Sequence, residues 1–300
     1  MPKENAAGAG LPRAPKRGKG LEVIFMSWKR FMSSVFMIAL TALAVINDSL
    51  FIVLVVSLTA GGLYEFFYMV RKKDVPIYSY TGILIGLLIP ISIFTHFEPT
   101  KNWELLFIVI GFLLILFMQF ARKDNRHAIL GLSTTLFGVL YVAWFFSFLV
   151  KIRLMLPGMQ GVKLLGFILL VTKSADIGAL LIGSSLGKHP LLPKVSPNKS
   201  VEGTFGAVLM SACAALIFRS FLPSTLNLPF WQIFFMGAFF GGLGQLGDLS
   251  ESLIKRDCGV KDSGKFLPGM GGVLDIIDSL LFSAPAFYLY MISTLNTLQQ

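Results

Sequence analysis

The chain has 300 residues, 55% of them hydrophobic and only 14% charged, with a formal net charge of +10. A soluble domain carries roughly 25% charged residues, so the composition excludes an ordinary water-soluble enzyme and points to a polytopic membrane protein. The cation excess does not require a nucleic-acid partner, since inner loops of membrane proteins accumulate Lys and Arg and no basic soluble domain exists to bind one.

Residues 1–30, rich in Gly, Ala, Pro and Lys, read as a disordered basic tail. Apolar runs able to cross a hydrocarbon core of about 30 Å follow. They fall near 31–46, 50–70, 77–95, 103–121, 128–150, 162–186, 201–221, 230–247 and 272–294. The fold class expected is therefore all-α, an integral membrane protein of about nine transmembrane helices. Asn47-Asp48-Ser49 marks a tight turn, so the first two spans form an uncleaved hairpin rather than a signal peptide. Pro90 falls inside the third span and should kink it. Cys213 sits in an apolar run and Cys258 in a polar stretch, which argues against a disulfide.

Cations orient the array. With the N-terminus inside, segments 1–30, 71–76, 122–127, 187–200 and 248–271 hold 20 of the 26 Lys and Arg, while the outer loops hold Lys101, Lys151 and Arg153. This asymmetry places the N-terminus and the loops 187–200 and 248–271 on the cytoplasmic face of the cell (inner) membrane. Those two loops carry the unusual chemistry, and only on a shared face can they converge.

The first constellation runs from Gly187-Lys188-His189-Pro190 through Pro193-Lys194-Val-Ser196-Pro-Asn-Lys199-Ser200 to Glu202-Gly203. Ser200 can cap the helix that follows, and that N-terminus favours an anion. Lysine ammoniums suit phosphate as point charges. In the sixth span Lys173 and Asp176 are three residues apart and share a helix face; a charge inside a span is costly and is usually paired or functional. The third constellation is acidic. Residues 248–278 hold six of the chain's sixteen acids, Asp248, Glu251, Asp257, Asp262, Asp275 and Asp278, together with Lys255, Arg256, Lys261, Lys265 and the run Pro268-Gly-Met-Gly271-Gly272. A hard cation such as Mg²⁺ takes one or two carboxylates plus substrate phosphates. Asp275 and Asp278, at i, i+3, fit that role, with Asp248 as a third ligand. Glycines at 269, 271 and 272 let backbone approach a phosphate.

These residues resemble the phosphatidate cytidylyltransferase (CDP-diacylglycerol synthase) family. Its C-terminal signature is matched by Ser252-Leu-Ile-Lys-Arg256, Lys261-Asp262-Ser-Gly264, Leu267-Pro268, Gly271-Gly272-Val273, Asp275 and Asp278. Gly247-Asp248, Glu251-Ser252, Ala175-Asp176-Ile-Gly178 and the 187–203 segment match further family motifs, and the resemblance covers roughly residues 175–280. Met270 and Ile276 stand where the family has His and Arg. The resemblance implies transfer of a cytidylyl group from CTP to phosphatidate, giving CDP-diacylglycerol and pyrophosphate for phospholipid biosynthesis. It implies Mg²⁺, with room for a second cation, and a homodimer in the lipid bilayer. In this reading Asp248, Asp275 and Asp278 hold the metal. Lys255, Arg256, Lys261 and Asp262 complete the catalytic set. Asp176, Lys188, Lys194, Ser196, Lys199, Ser200, Glu202, Gly271 and Gly272 bind substrate. The chain divides into the tail 1–30, an N-terminal helical array 31–160 and a catalytic region 161–300. Three alternatives stay open at this point: a CTP-dependent lipid-alcohol kinase, a transporter using Lys173 and Asp176, and a silent scaffold.

Overall fold

The computed structural model describes residues 19–97, 99–100, 103–122, 125–264 and 271–299. Within them the chain is helical apart from one short hairpin. The helices are α1 (Lys19–Ile46), α2 (Asp48–Arg71), α3 (Ser79–Phe94), α4 (Trp103–Phe120), α5 (Ala128–Gly138), α6 (Phe145–Leu154), α7 (Met159–Leu186), α8 (Val201–Ile217), α9 (Phe230–Asp257) and α10 (Leu274–Gln299). A π-helical stretch, Val139–Trp144, joins α5 to α6 without a break. Strands β1 (Pro190–Leu192) and β2 (Ser196–Ser200) pair antiparallel between α7 and α8.

Each of the nine predicted apolar runs lies on a helix. Among the described residues, five segments are long and apolar enough to cross a membrane: Asp48–Arg71, Trp103–Phe120, Ala128–Leu154, Met159–Leu186 and Leu274–Asn296; Met32–Ile46, Ser79–Phe94 and Val201–Ile217 are apolar but shorter. The fold is thus all-α and membrane-like. On α4, Leu105, Val109, Leu113, Phe117 and Phe120 are exposed, a face that only lipid can solvate.

Four boundaries differ from expectation. Of the tail expected over 1–30, residues 1–18 lie outside the described residues and 19–30 belong to α1, whose helix-compatible sequence runs unbroken into the first apolar stretch. The fifth run continues to Leu154, because Lys151 and Arg153 find partners at their own level. Lys151 Nζ lies 2.5 Å from Glu104, which also accepts from Trp144 Nε1 at 3.2 Å, and Arg153 lies 2.5 Å from Asp48. The polar stretch after 247 is helix, not loop: residues 248–257 contain no Gly or Pro, Lys255 follows Glu251 at i+4, and α9 ends only before Gly259, at φ +69°. The 187–200 segment is a hairpin rather than an irregular loop.

Membrane helices gain little from excluding lipid from each other, so close approach of backbones takes over. α7, α8, α9 and α10 pack in this way. Where α7 crosses α8, a Cβ on Gly206 would lie 2.6 Å from Ile182 Cβ and 2.8 Å from the Gly178 carbonyl oxygen. Phe240 of α9 meets Phe287 of α10 edge-on at 5.2 Å, and Phe287 stacks on Phe167 of α7 at 5.8 Å. The Asn47 turn forms as expected, its side chain accepting from Leu50 N at 3.1 Å. Gly206→Val should overpack the α7–α8 crossing at a cost of about 1–3 kcal/mol. A lowered thermal midpoint of the detergent-solubilised protein checks this; an unchanged midpoint would show that the crossing can yield.

Candidate active site

Helical spacing sets the first part of the site. Asp248, Glu251 and Lys255 follow one another at intervals of three and four on α9, so they share a face. Gly247 lets α10 come close, since a Cβ there would overlap the backbone carbonyl of Asp278 and meet Ser279 Cα at 3.3 Å. As a result Asp248, Glu251 and Asp278 each offer an oxygen, and these oxygens lie within 4.8 Å of one another. Glu251 is fully buried and Asp278 nearly so.

The lysines answer this charge. Lys255 Nζ bridges Glu251 and Asp275. Lys199, from β2, pairs with Asp248 at 2.6 Å. Lys173 on α7 contacts Asp176 at 3.0 Å, Ser279 Oγ at 3.0 Å and the Ile276 carbonyl at 3.2 Å. The expected shared face of Lys173 and Asp176 is therefore present, and Ile276 contributes its backbone. Among the described residues, five carboxylates (Asp176, Asp248, Glu251, Asp275 and Asp278) share these three lysines, which leaves two negative charges over. Glu251 Oε1 also has no hydrogen-bond partner. A buried carboxylate so placed is expensive. Three hard oxygens with surplus charge of minus two fit a divalent cation that prefers oxygen ligands.

The acidic trio that the structure brings together differs in one member from the metal set expected from the sequence. Asp275 is not part of the trio; Glu251 is. Asp275 Oδ1 is taken by Lys255, and Oδ2 accepts from Gly272 N at 2.7 Å, Ser263 Oγ at 2.8 Å and Ser263 N at 3.3 Å. Its oxygens are spent on holding the chain on either side of 265–270. Those six residues, including Lys265 and Met270 and most of the glycine run, lie outside the described residues.

The hairpin does converge on α9. Besides the Lys199–Asp248 pair, Arg256 Nε donates to the Val195 carbonyl at 3.2 Å and Nη1 to Val260 O at 3.4 Å. Ser200 caps α8 as expected, accepting from Gly203 N at 3.0 Å. Glu202 accepts from the backbone of Lys188 at 3.1 Å and of His189 at 3.3 Å, and lies 2.6 Å from His189 Nδ1. That carboxylate braces the hairpin entry. Lys188, Lys194, Lys261 and Asp262 are exposed, Ser196 begins β2 half-buried, and Gly271 adopts φ +92°.

Two residues went unnoticed in the sequence. Glu65, buried on α2, accepts from Ser263 Oγ at 3.0 Å and from Leu274 N at 2.9 Å, with Gly264 and Gly272 packed against its carboxylate. A lone acid in an apolar run was its only signal. Tyr141, in the π-helical stretch, has a buried hydroxyl with no hydrogen-bond partner and lies in the field of Glu251, Asp278 and Asp248. Nothing local distinguishes it from the other tyrosines, although π-helical stretches recur at functional sites.

A bundle of apolar helices that gathers carboxylates and lysines around one end is the framework of a membrane enzyme working on phosphate groups. Comparison with known proteins narrows the class. Residues 28–294 match the model of the cytidylyltransferase family. Over 251 residues the chain is 33% identical to the phosphatidate cytidylyltransferase of Bacillus subtilis, covering 82% of this chain and 90% of that one. It is 32% identical to the Synechocystis enzyme of the same name over 300 residues, 91% and 99% of the two chains, and 32% identical to that of Staphylococcus aureus over 227 residues, 75% and 83%. The chain belongs to the cytidylyltransferase family.

Glu65→Gln keeps the shape but removes the charge that Ser263 and Leu274 donate to. It should cost about 1–3 kcal/mol, read as a lower thermal midpoint. Tyr141→Phe, which deletes an unpartnered hydroxyl, should leave the midpoint unchanged or raised. The reverse order would remove Glu65 as the anchor of this segment.

Proposed function

We infer that this chain is a membrane nucleotidyltransferase that joins CTP to phosphatidate, giving CDP-diacylglycerol and pyrophosphate. One observation carries the reading: the family match spans nearly the whole chain, and its acidic and lysine motifs meet around the Asp248–Glu251–Asp278 trio. A phosphate oxygen of phosphatidate forms a bond to the α-phosphorus of CTP, and the bond to pyrophosphate breaks. Phosphatidate is already anionic near neutral pH, so no general base is required. Catalysis then reduces to positioning and charge neutralisation.

The roles proposed for individual residues are these. Asp248, Glu251 and Asp278 would hold Mg²⁺, whose chemistry is to neutralise phosphate oxygens. Lys255 fixes Glu251 against Asp275, and Asp275 orders the Ser263 and Gly272 backbone beside it. Lys199, with Lys188, Lys194 and Ser200 of the hairpin, faces nucleotide or lipid phosphates; Arg256 and Lys261 add charge at the rim. Asp176 holds Lys173 toward α10. We place the N-terminus and this site on the cytoplasmic side of the inner membrane, with the chain crossing nine times. Acyl chains then stay in lipid while the headgroup meets a soluble nucleotide.

The test uses purified full-length protein, phosphatidate and CTP labelled at the α or γ phosphorus, with products identified by mass. The α label should enter lipid and the γ label should leave as pyrophosphate; release of CDP would instead identify a kinase. Chelation should abolish turnover and Mg²⁺ restore it. Asp248→Asn and Asp278→Asn should each lower kcat by roughly 100-fold or more. Wild-type turnover in the double variant would remove the trio from the mechanism.

A further inference from the structure

A second polar site lies between the ends of α2, α3 and α4, away from the carboxylate trio. It is an open pocket of about 380 Å³ whose lining includes Arg71, Tyr78, Ser79, Tyr80, Met118 and Arg122. Among the described residues, two arginines and no carboxylate line it. Arg122 is pre-placed: its guanidinium lies 4.0 Å from the Tyr78 ring centroid and donates to the Pro76 and Ile77 carbonyls at 2.8 and 3.3 Å. Arg71 lies 5.8 Å from the Tyr80 centroid.

The first turn of α3 forms one wall. That helix has 16 residues and no side-chain cap at its start, so its leading N–H groups and positive dipole end are open to an anion. An independent observation points the same way. Ser79, which lines the pocket, is only 7% exposed, yet its hydroxyl has no hydrogen-bond partner. A buried hydroxyl beside two arginines and a helix N-terminus lacks only an acceptor.

We propose that this pocket binds a phosphate group, presented as the headgroup of an anionic phospholipid. The surroundings favour a lipid source over free phosphate. Tyr80, Leu84 and Phe117 are exposed next to the pocket and offer an apolar track for acyl chains, and aromatic rings with arginines at helix ends are the usual furniture of a membrane face. The proposal does not rest on the CTP reading, and it concerns residues with no part in that site.

Its test is retention of spin-labelled phosphatidylglycerol by the full chain in phosphatidylcholine nanodiscs, with labelled phosphatidylcholine as reference. Wild-type protein should immobilise the anionic lipid preferentially. Arg71→Gln with Ser79→Ala should weaken that preference by roughly fivefold or more, the worth of one cation at a charged membrane face; Arg71→Lys should largely keep it. A thermal midpoint equal to wild type establishes that the double variant is folded, and the variant pair separates this pocket from lipid held elsewhere. Inorganic phosphate supplies the second arm. If it raises the midpoint of wild type but not of the double variant while phosphatidylglycerol is not held, the occupant is free phosphate. Equal retention of the two lipids together with no effect of inorganic phosphate overturns the proposal, as does equal retention of phosphatidylglycerol by wild type and double variant.

Discussion

Carboxylates cannot be gathered between apolar helices unless something offsets their charge, because desolvating an ion costs several kcal/mol even after the protein relaxes. In this molecule the offset is arranged as a chain of contacts. Glu65 on α2 holds Ser263, Ser263 holds Asp275, Lys255 joins Asp275 to Glu251, and Lys199 draws the hairpin to Asp248. Every contact but Lys255–Glu251, which lies within α9, crosses from one element to another. The first half of the chain is thereby tied to the site through Glu65, and the hairpin is fastened to α9 by a salt bridge.

The glycine seams serve that arrangement. Because Gly247 carries no Cβ, α10 comes near enough to α9 for Lys255 to reach Asp275, and Gly206 lets α8 close on α7 in the same way. Packing and electrostatics are therefore not separate contributions here. Close backbone approach creates the charge density, and the charge density demands the counterions that tie the elements together.

The helices were legible because lipid imposes a continuous apolar run on whatever crosses it. The end of α9 was not. Loss of hydrophobicity at Asp248 marks where apolar solvation stops, whereas helix formation depends on propensity and caps, and nothing before Gly259 breaks it. The hairpin was hidden for a related reason: Ser196-Pro-Asn-Lys-Ser200 lacks the alternation and the β-branched residues by which strands are read. At the site, Asp248 and Asp278 were legible as acids at the edges of spans. Spacing could not choose the third member, since Glu251 stands three residues after Asp248 just as Asp275 stands three before Asp278. Only the tertiary contacts, which occupy both oxygens of Asp275, decide between them.

The π-helical stretch at Val139–Trp144 bears on how this chain can vary in length. It sits in the middle of a continuous segment whose far end pins Lys151 to Glu104 and Arg153 to Asp48. Because a π turn absorbs one extra residue, deleting a single residue there would restore ordinary α periodicity and leave the helix beyond it in register, whereas the same deletion in a regular turn of α6 would swing everything beyond it by about 100° and detach both cations at once. Loss of one residue in related chains should accordingly be tolerated at this stretch and shut out of the regular turns on either side of it, so that a one-residue alignment gap is expected at 139–144 rather than nearer Lys151 and Arg153.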